Sequence, residues 1–269
     1  MKIAIIGGGN MGEVMLAAVL DRGLAKPGAV TISDIAKARL KHLEKKYGVA
    51  ATTSNLKAAA KGEVVVLAIK PQNLPEVMAE LSGSFKPSQL VLSIIAGAKI
   101  KTLSRGLRHD SIVRAMPNTP ARIGEGMSVW TATAEVSKKQ RAWASSILRA
   151  MGREVYVDDE GYIDMATAIS GSGPAYFFLL MEEMIKAGVE LGLPEDTAKN
   201  LVLQTAKGAG LLAAEADKKG QSPAALRKNV TSPGGTTEAA IKVMAAGNFG
   251  RLINNALAAA CRRSKELCG

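Results

Sequence analysis

Histidine, cysteine and aromatic residues are scarce in this chain, and each scarcity removes a class of function. Of 269 residues only two are histidine and two are cysteine. His42 and His109 stand apart from each other and from Cys261 and Cys268, so no metal-ligand spacing exists and no metal site is expected. Both cysteines fall in what reads as the last turns of a C-terminal helix. That is no disulfide framework, and it points to a reducing compartment with the cytoplasm as the expected location. Aromatics make up 4%, too few to interleave a basic surface with stacking platforms. The formal charge is nonetheless +11, from 35 basic and 24 acidic residues. Lys37, Arg39, Lys41, Lys45 and Lys46 show its distribution, along helix faces as a solvated surface, so nucleic acid is not an expected partner. No apolar run reaches the roughly 18 residues of a membrane span. The run after Lys2 is broken at once by three glycines and followed by Glu13, unlike a secretory segment, and no membrane partner is expected.

What is present starts with residues 2–6, Lys-Ile-Ala-Ile-Ile, a short apolar run that reads as a buried parallel strand. Gly7-Gly8-Gly9-Asn10-Met11-Gly12 follows and satisfies G-x-G-x-x-G, ahead of a helix carrying Val14, Leu16, Val19 and Leu20. Gly7 permits the tight turn, Gly9 lets the backbone approach a pyrophosphate, and Gly12 allows the helix to pack closely on the strand. The motif alone is shared by many proteins, but its place between strand and helix, with a second strand at residues 30–34, predicts dinucleotide binding. Asp34, at the end of that second strand, would prefer the free 2′-hydroxyl of NAD over the 2′-phosphate of NADP. Alternatively it caps the next helix, while Ser33, Lys37 and Arg39 could meet a phosphate instead. The residues leave both readings open.

Strand and helix patterns keep alternating through residues 64–69, 90–95 and 112–116, which predicts an α/β fold with a Rossmann-type doubly wound parallel sheet. Ligands bind outside the carboxyl ends of such strands. That places Ala68-Ile69-Lys70-Pro71, Ala96-Gly97 and the segment 116–120 around Asn118 along the crevice, although a lysine before proline is equally often a solvated loop residue. Short strands are expected at 128–130 and 154–156, separated by a helix over 138–151 in which Ser137 and Gln140 fit a capping box. From about residue 159 the pattern becomes helix only, at 162–169, 175–191, 195–216, 223–228, 237–246 and 251–267. The expected division is a dinucleotide-binding domain at 1–161 and an all-α domain at 162–269 for substrate binding and dimerisation. Several of these helices are apolar on more than one face, so a second copy of the chain is expected to cover them.

The most distinctive stretch is 229–238, Asn-Val-Thr-Ser-Pro-Gly-Gly-Thr-Thr-Glu. Gly234 and Gly235 let the backbone turn and come close to a ligand. Thr236 or Ser232 is expected to cap a helix starting near Thr237. Such a helix start would hold a small carboxylate without lysine or arginine, and a merely capped loop is the alternative.

Taken together, Gly7 to Gly12, the segment 68–71, the segment 116–120, Ser170-Gly171-Ser172-Gly173-Pro174-Ala175-Tyr176 and the segment 232–237 resemble the ordered motif set of pyrroline-5-carboxylate reductases. The resemblance spans essentially the whole chain. It implies reduction of the cyclic imine 1-pyrroline-5-carboxylate to L-proline, the last step of proline biosynthesis, by hydride from NAD(P)H. It implies that Ser232 and the amides of Gly235, Thr236 and Thr237 hold the substrate carboxylate, with Gly234 in the same turn. The Thr237 hydroxyl is the implied catalytic group, bonding the ring nitrogen. The implied cofactor residues are Gly7, Gly9, Asn10, Met11 and Gly12, with Ser33, Asp34 and Asn55 toward the ribose, and Ala68, Ile69, Lys70, Pro71, Ala96, Gly97 and Asn118 along the crevice. NADPH is the implied cofactor, with NADH kept as an alternative because of Asp34. The implied assembly is a homodimer through the C-terminal helices, extending to a higher oligomer such as a decamer. A β-hydroxyacid dehydrogenase has the same N-terminal architecture but resembles a pattern with a lysine on the first long helix of the second domain, and residues 175–183 contain none. A protein that only senses NADP is disfavoured by the intact segment 232–237.

Overall fold

The computed structural model describes residues 1–267; Cys268, expected in the last helical turns, lies outside the described residues. The first half alternates strand and helix: β1 (Ile3–Ile6), α1 (Asn10–Asp21), β2 (Val30–Ser33), α2 (Lys37–Tyr47), β3 (Ala50–Thr52), α3 (Asn55–Ala59), β4 (Val64–Leu67), α4 (Leu74–Leu81), β5 (Leu90–Ser93), α5 (Ile100–Leu107) and β6 (Ile112–Met116). Then come β7 (Gly126–Ala132), α6 (Lys138–Ala150), β8 (Gly152–Tyr156) and α7 (Gly161–Ala166). The helices that follow are α8 (Gly173–Glu190), α9 (Glu195–Asp217), α10 (Pro223–Asn229), α11 (Thr236–Ala246) and α12 (Phe249–Leu267).

The strands form one sheet in the order β3-β2-β1-β4-β5-β6-β7-β8. Every pairing is parallel except β6 with β7. Both faces are covered, which is why these strands read as unbroken apolar runs. Successive residues point to opposite faces. Ile3 and Ile5 join Met15, Leu16, Leu43 and Ile147 from α1, α2 and α6 on one side. Ala4 and Ile6 join Ala58, Val77, Leu81 and Leu103 from α3, α4 and α5 on the other.

Several local expectations change. The second strand ends at Ser33, so Asp34 belongs to the loop. β3 had no sequence signal, because Ala-Ala-Thr at a sheet edge has neither apolar run nor alternation. β7 is longer than expected and runs antiparallel to β6, a direction that strand composition does not encode. The helix expected over 162–169 stops at Ala166 and continues as a π-helical turn, Thr167–Gly171. The Ser137–Gln140 capping box forms in both directions.

By its internal packing the chain divides into two compact units, Met1–Pro174 with the chain from Ala259 onward, and Ala175–Ala258. In the first, the return of α12 is fastened by a buried ionic cluster. Arg114 on β6 donates to Glu160 Oε1 at 2.8 Å and Asp164 Oδ1 at 3.0 Å, and Ser264 Oγ donates to the same Asp164 oxygen at 2.9 Å. Burial acts against the Arg114 charge, but the two carboxylates outweigh it and raise its pKa. Removing one partner from such a buried pair typically costs about 3–5 kcal/mol, because the other charge is left unpaired. The second unit is helical and exposes many large apolar side chains, among them Phe177, Phe178, Leu211, Leu212 and Val243. No helix among the described residues is long and apolar enough to cross a membrane.

Candidate active site

The register sets the geometry of the crevice. Ile6 lies beside Ser33 on one side and Leu67 on the other, and Leu67 lies beside Ser93. The loops that leave β2, β1, β4 and β5 therefore emerge in a row on one edge. Strand order reverses between β1 and β4, the position at which open α/β sheets bind ligands.

The three fingerprint glycines stand in three different situations. Gly7 has φ +104°, and a Cβ there would lie 2.6 Å from Ala68 O. A Cβ on Gly12 would lie 2.0 Å from Gly7 O, so the close approach of α1 to β1 excludes any side chain. Gly9 differs from both, because a Cβ there would meet nothing within 4 Å and its backbone is extended at φ −66°, ψ −171°. The fold itself makes no demand for glycine at 9; the space beside it is open above the start of α1. That helix makes its first backbone bond from Glu13 N to Gly9 O and has no side-chain cap. The N–H groups of Asn10, Met11 and Gly12 thus have no acceptor within the helix, as a pyrophosphate site would require. The residues present fit a dinucleotide.

Gly8 is held at both ends of its peptide geometry. Its N–H donates to Asp34 Oδ2 at 2.7 Å, and its carbonyl accepts from Arg39 Nε at 2.6 Å. Asp34 Oδ1 accepts from Ala36 N at 2.9 Å, while α2 starts at Lys37 with no side-chain cap. The helix-capping alternative for Asp34 is therefore replaced by a tie between the β2 loop and the glycine loop. Ser33 is fully buried; its hydroxyl donates to Asn55 Oδ1 at 2.7 Å, and Asn55 Nδ2 donates to Glu80 Oε2 at 2.7 Å.

Farther along the edge, Ala68 N donates to Ile6 O at 2.8 Å, Ile69 is half-buried, Lys70 is exposed and Pro71 opens a 3-10 turn. Gly97, next to the half-buried Ala96, has φ +77° and lies against the backbone of Leu267, which a Cβ would approach to 2.9 Å. Asn118 Nδ2 donates to Ser170 O at 3.0 Å, and its Oδ1 accepts from Met127 N at 2.8 Å, so this side chain joins β7 to the π-helical turn.

The segment 232–237 belongs to the other unit and is described by itself. Neither Thr236 nor Ser232 caps α11, contrary to expectation; the helix begins at Thr236 with Gly235 at the N-cap and no side-chain cap. Gly234 takes φ +71°, a conformation that favours glycine. Its N–H donates to Glu238 Oε2 at 2.9 Å, and Gly235 N donates to Ser232 O at 3.0 Å. The first helical bond runs from Ala239 N to Gly235 O at 3.2 Å. The amides of Thr236 and Thr237 are thereby left for a ligand, and the absent cap is what leaves them open. Glu238 adds a negative charge to this turn, which Lys242 Nζ offsets from 3.2 Å.

Known proteins share this arrangement from end to end. Residues 160–267 match the family model described as pyrroline-5-carboxylate reductase dimerisation. The pyrroline-5-carboxylate reductase of Pseudomonas aeruginosa is 43% identical over 268 residues, covering 99% of this chain and 96% of its own length. This chain belongs to the pyrroline-5-carboxylate reductase family. A solved family structure from Coxiella burnetii superposes with a TM-score of 0.90 at 40% identity, covering 100% of this chain and 98% of that one. The Plasmodium falciparum member, solved with NADP bound, superposes at 0.88 with 30% identity, again over 100% and 98% of the two chains. Residues 2–97 also match a model described as NADP oxidoreductase, coenzyme F420-dependent, the stretch that holds β1 to β5 and the fingerprint.

Sequence reasoning missed Glu13, Glu238 and the Arg114 cluster. Arg114 had a signal, since a charge inside the apolar strand Ile-Val-Arg-Ala-Met demands buried partners. Nothing local could say that those partners lie 46 and 50 residues away.

Proposed function

We propose that this chain reduces 1-pyrroline-5-carboxylate to L-proline with NAD(P)H, the final step of proline biosynthesis. The observation that carries this reading is a pair of uncapped helix starts behind glycine turns, α1 after Gly9 and α11 after Gly235, in a chain related to these reductases over its full length. NAD(P)H, when bound, supplies the hydride that adds to C5 of the imine. Gly9, Asn10, Met11 and Gly12 hold the pyrophosphate through backbone N–H groups, while Gly7, whose own N–H donates to Ser33 O at 2.8 Å, makes the turn that brings them there. Ser33, Asp34 and Asn55 form the ribose end, and Ala68, Ile69, Lys70, Pro71, Ala96, Gly97 and Asn118 line the rest of the groove.

In the second unit, Ser232 and the amides of Thr236 and Thr237 seat the substrate carboxylate, with Gly234 and Gly235 shaping the turn. The Thr237 hydroxyl donates to the ring nitrogen, where negative charge would otherwise develop as hydride arrives. Holding the reacting carbons in contact supplies much of the remaining acceleration. The functional division falls near residue 161, with 1–161 serving the dinucleotide and 162–269 serving substrate and assembly. The location is the cytoplasm.

Adding pyrroline-5-carboxylate to enzyme and NADPH should oxidise the cofactor and yield proline stoichiometrically. Reduction of NADP+ on adding hydroxyacids, with no turnover of pyrroline-5-carboxylate, would instead assign the chain to a hydroxyacid dehydrogenase class. The exposed apolar faces of α8, α9, α11 and α12 are covered by a second copy, giving a homodimer that assembles into a decamer. Sedimentation should return an even multiple of the chain mass, ten for the decamer, and a stable monomer would refute the assembly.

A further inference from the structure

The charges around Gly8 form a connected set whose last member is Glu13. Arg39 donates Nε to Gly8 O and Nη2 to Glu13 Oε2, which leaves Nη1 for another partner. The other Glu13 oxygen accepts from Lys46 Nζ and Tyr47 OH, each at 2.9 Å, and His42 Nε2 stands 3.8 Å from it. Burial by itself would raise the Glu13 carboxyl, but hydrogen bonds from Lys46, Tyr47 and Arg39, with the Arg39 charge, hold it down at about 2. Glu13 is therefore ionised throughout the physiological range. Its side chain is only 18% exposed, so solvent screens the Arg39 pairing less than it would a surface pair. Glu13, His42, Lys46 and Tyr47 also line an open surface cavity that runs along α1 from Asn10 to Arg22, whereas Arg39 stands outside it.

The residue that follows β2 in this fold faces the adenosine ribose at its 2′-position. Here that residue is Asp34, and Arg39 reaches the opposite side of the same Gly8 that Asp34 holds. A 2′-phosphate adds about −1.5 to −2 charge where NADH has a hydroxyl, so the local potential discriminates between the two cofactors. We propose that Glu13 is a specificity-determining residue: by pairing with Arg39 beside Gly8 it withholds positive charge from the 2′-phosphate and keeps NADH competitive with NADPH. Glu13 acts through Arg39 and is a positioning residue. The inference rests on the reading that the glycine loop binds the cofactor.

The test measures dissociation constants for NADPH and NADH by calorimetry on the full-length protein, alongside kcat/KM for each. Glu13→Gln should tighten NADPH by about tenfold and change NADH by less than about twofold, the size expected when one nearby charge is removed from a partly exposed site. The preference should shrink as ionic strength rises. Arg39→Gln should move the ratio the opposite way, and it keeps the inference testable should Glu13→Gln fold poorly. An unchanged NADPH-to-NADH ratio in both variants, or an equal loss for both cofactors, would overturn the role and leave Glu13 as a brace between α1 and α2. Gly9→Val separates this from failure of the underlying reading. If that variant binds both cofactors normally, the glycine loop is not the cofactor site at all.

Discussion

Gly9→Val is expected to abolish measurable NADPH binding while the protein stays folded. The two halves of that expectation have separate causes. A Cβ at 9 meets no atom within 4 Å, which leaves room for a small branched side chain, and the extended backbone there suits any residue, so neither crowding at Cβ nor strain opposes valine. The same side chain would occupy the open space above the start of α1, where a pyrophosphate must approach backbone N–H groups at hydrogen-bonding distance. Gly7 and Gly12 would be poor sites for this experiment. Substitution there collides with Ala68 O or Gly7 O, and loss of binding would only report a damaged fold. Circular dichroism should show unchanged secondary structure, and calorimetry should show no NADPH heat. Wild-type affinity in the folded variant would place the cofactor elsewhere.

Thr237→Ala should lower kcat by about 100-fold to 1,000-fold, the usual loss when one preorganised donor is removed from a centre of developing charge. Cofactor affinity should hardly change, because Thr237 lies in the unit that does not contain the glycine loop. Stability should also be preserved. Thr237 is half-buried and no side chain caps α11, so the variant removes no cap. Steady-state kinetics with saturating NADPH, read beside the calorimetric affinity, make the comparison. A near-normal kcat would remove the Thr237 hydroxyl from the reaction and leave the segment 232–237 as a seat for the carboxylate alone.

Both variants were legible before any coordinates, since each rests on residues close together in the chain. The glycine loop, the buried strands and the turn before α11 are encoded by spacing over a few residues, where chain geometry makes sequence neighbours spatial neighbours. The all-α second half was legible for the same reason. The start of α11 was only partly so. A Ser/Thr-rich turn suggests a side-chain cap, but Gly235 took that position, and the capping geometry depends on the φ of Gly234 and on the reach of Glu238.

The sequence by itself determined that the chain alternates into a doubly wound sheet, then turns helical, and carries two glycine-turn helix starts. It also marked the chain as a pyrroline-5-carboxylate reductase through motifs spread over its length. Only the tertiary structure decided what its charged side chains do. Asp34 meets Gly8 across 26 residues, Glu13 meets Arg39 across 26, Arg114 meets Asp164 across 50, and Asp164 meets Ser264 across 100. The antiparallel setting of β7 was decided at the same level. The physical reason is that backbone periodicity is set by near neighbours and survives in the sequence as a pattern. An ion pair or a strand direction, by contrast, is set by register between distant segments, which packing of the whole sheet and its helices alone establishes.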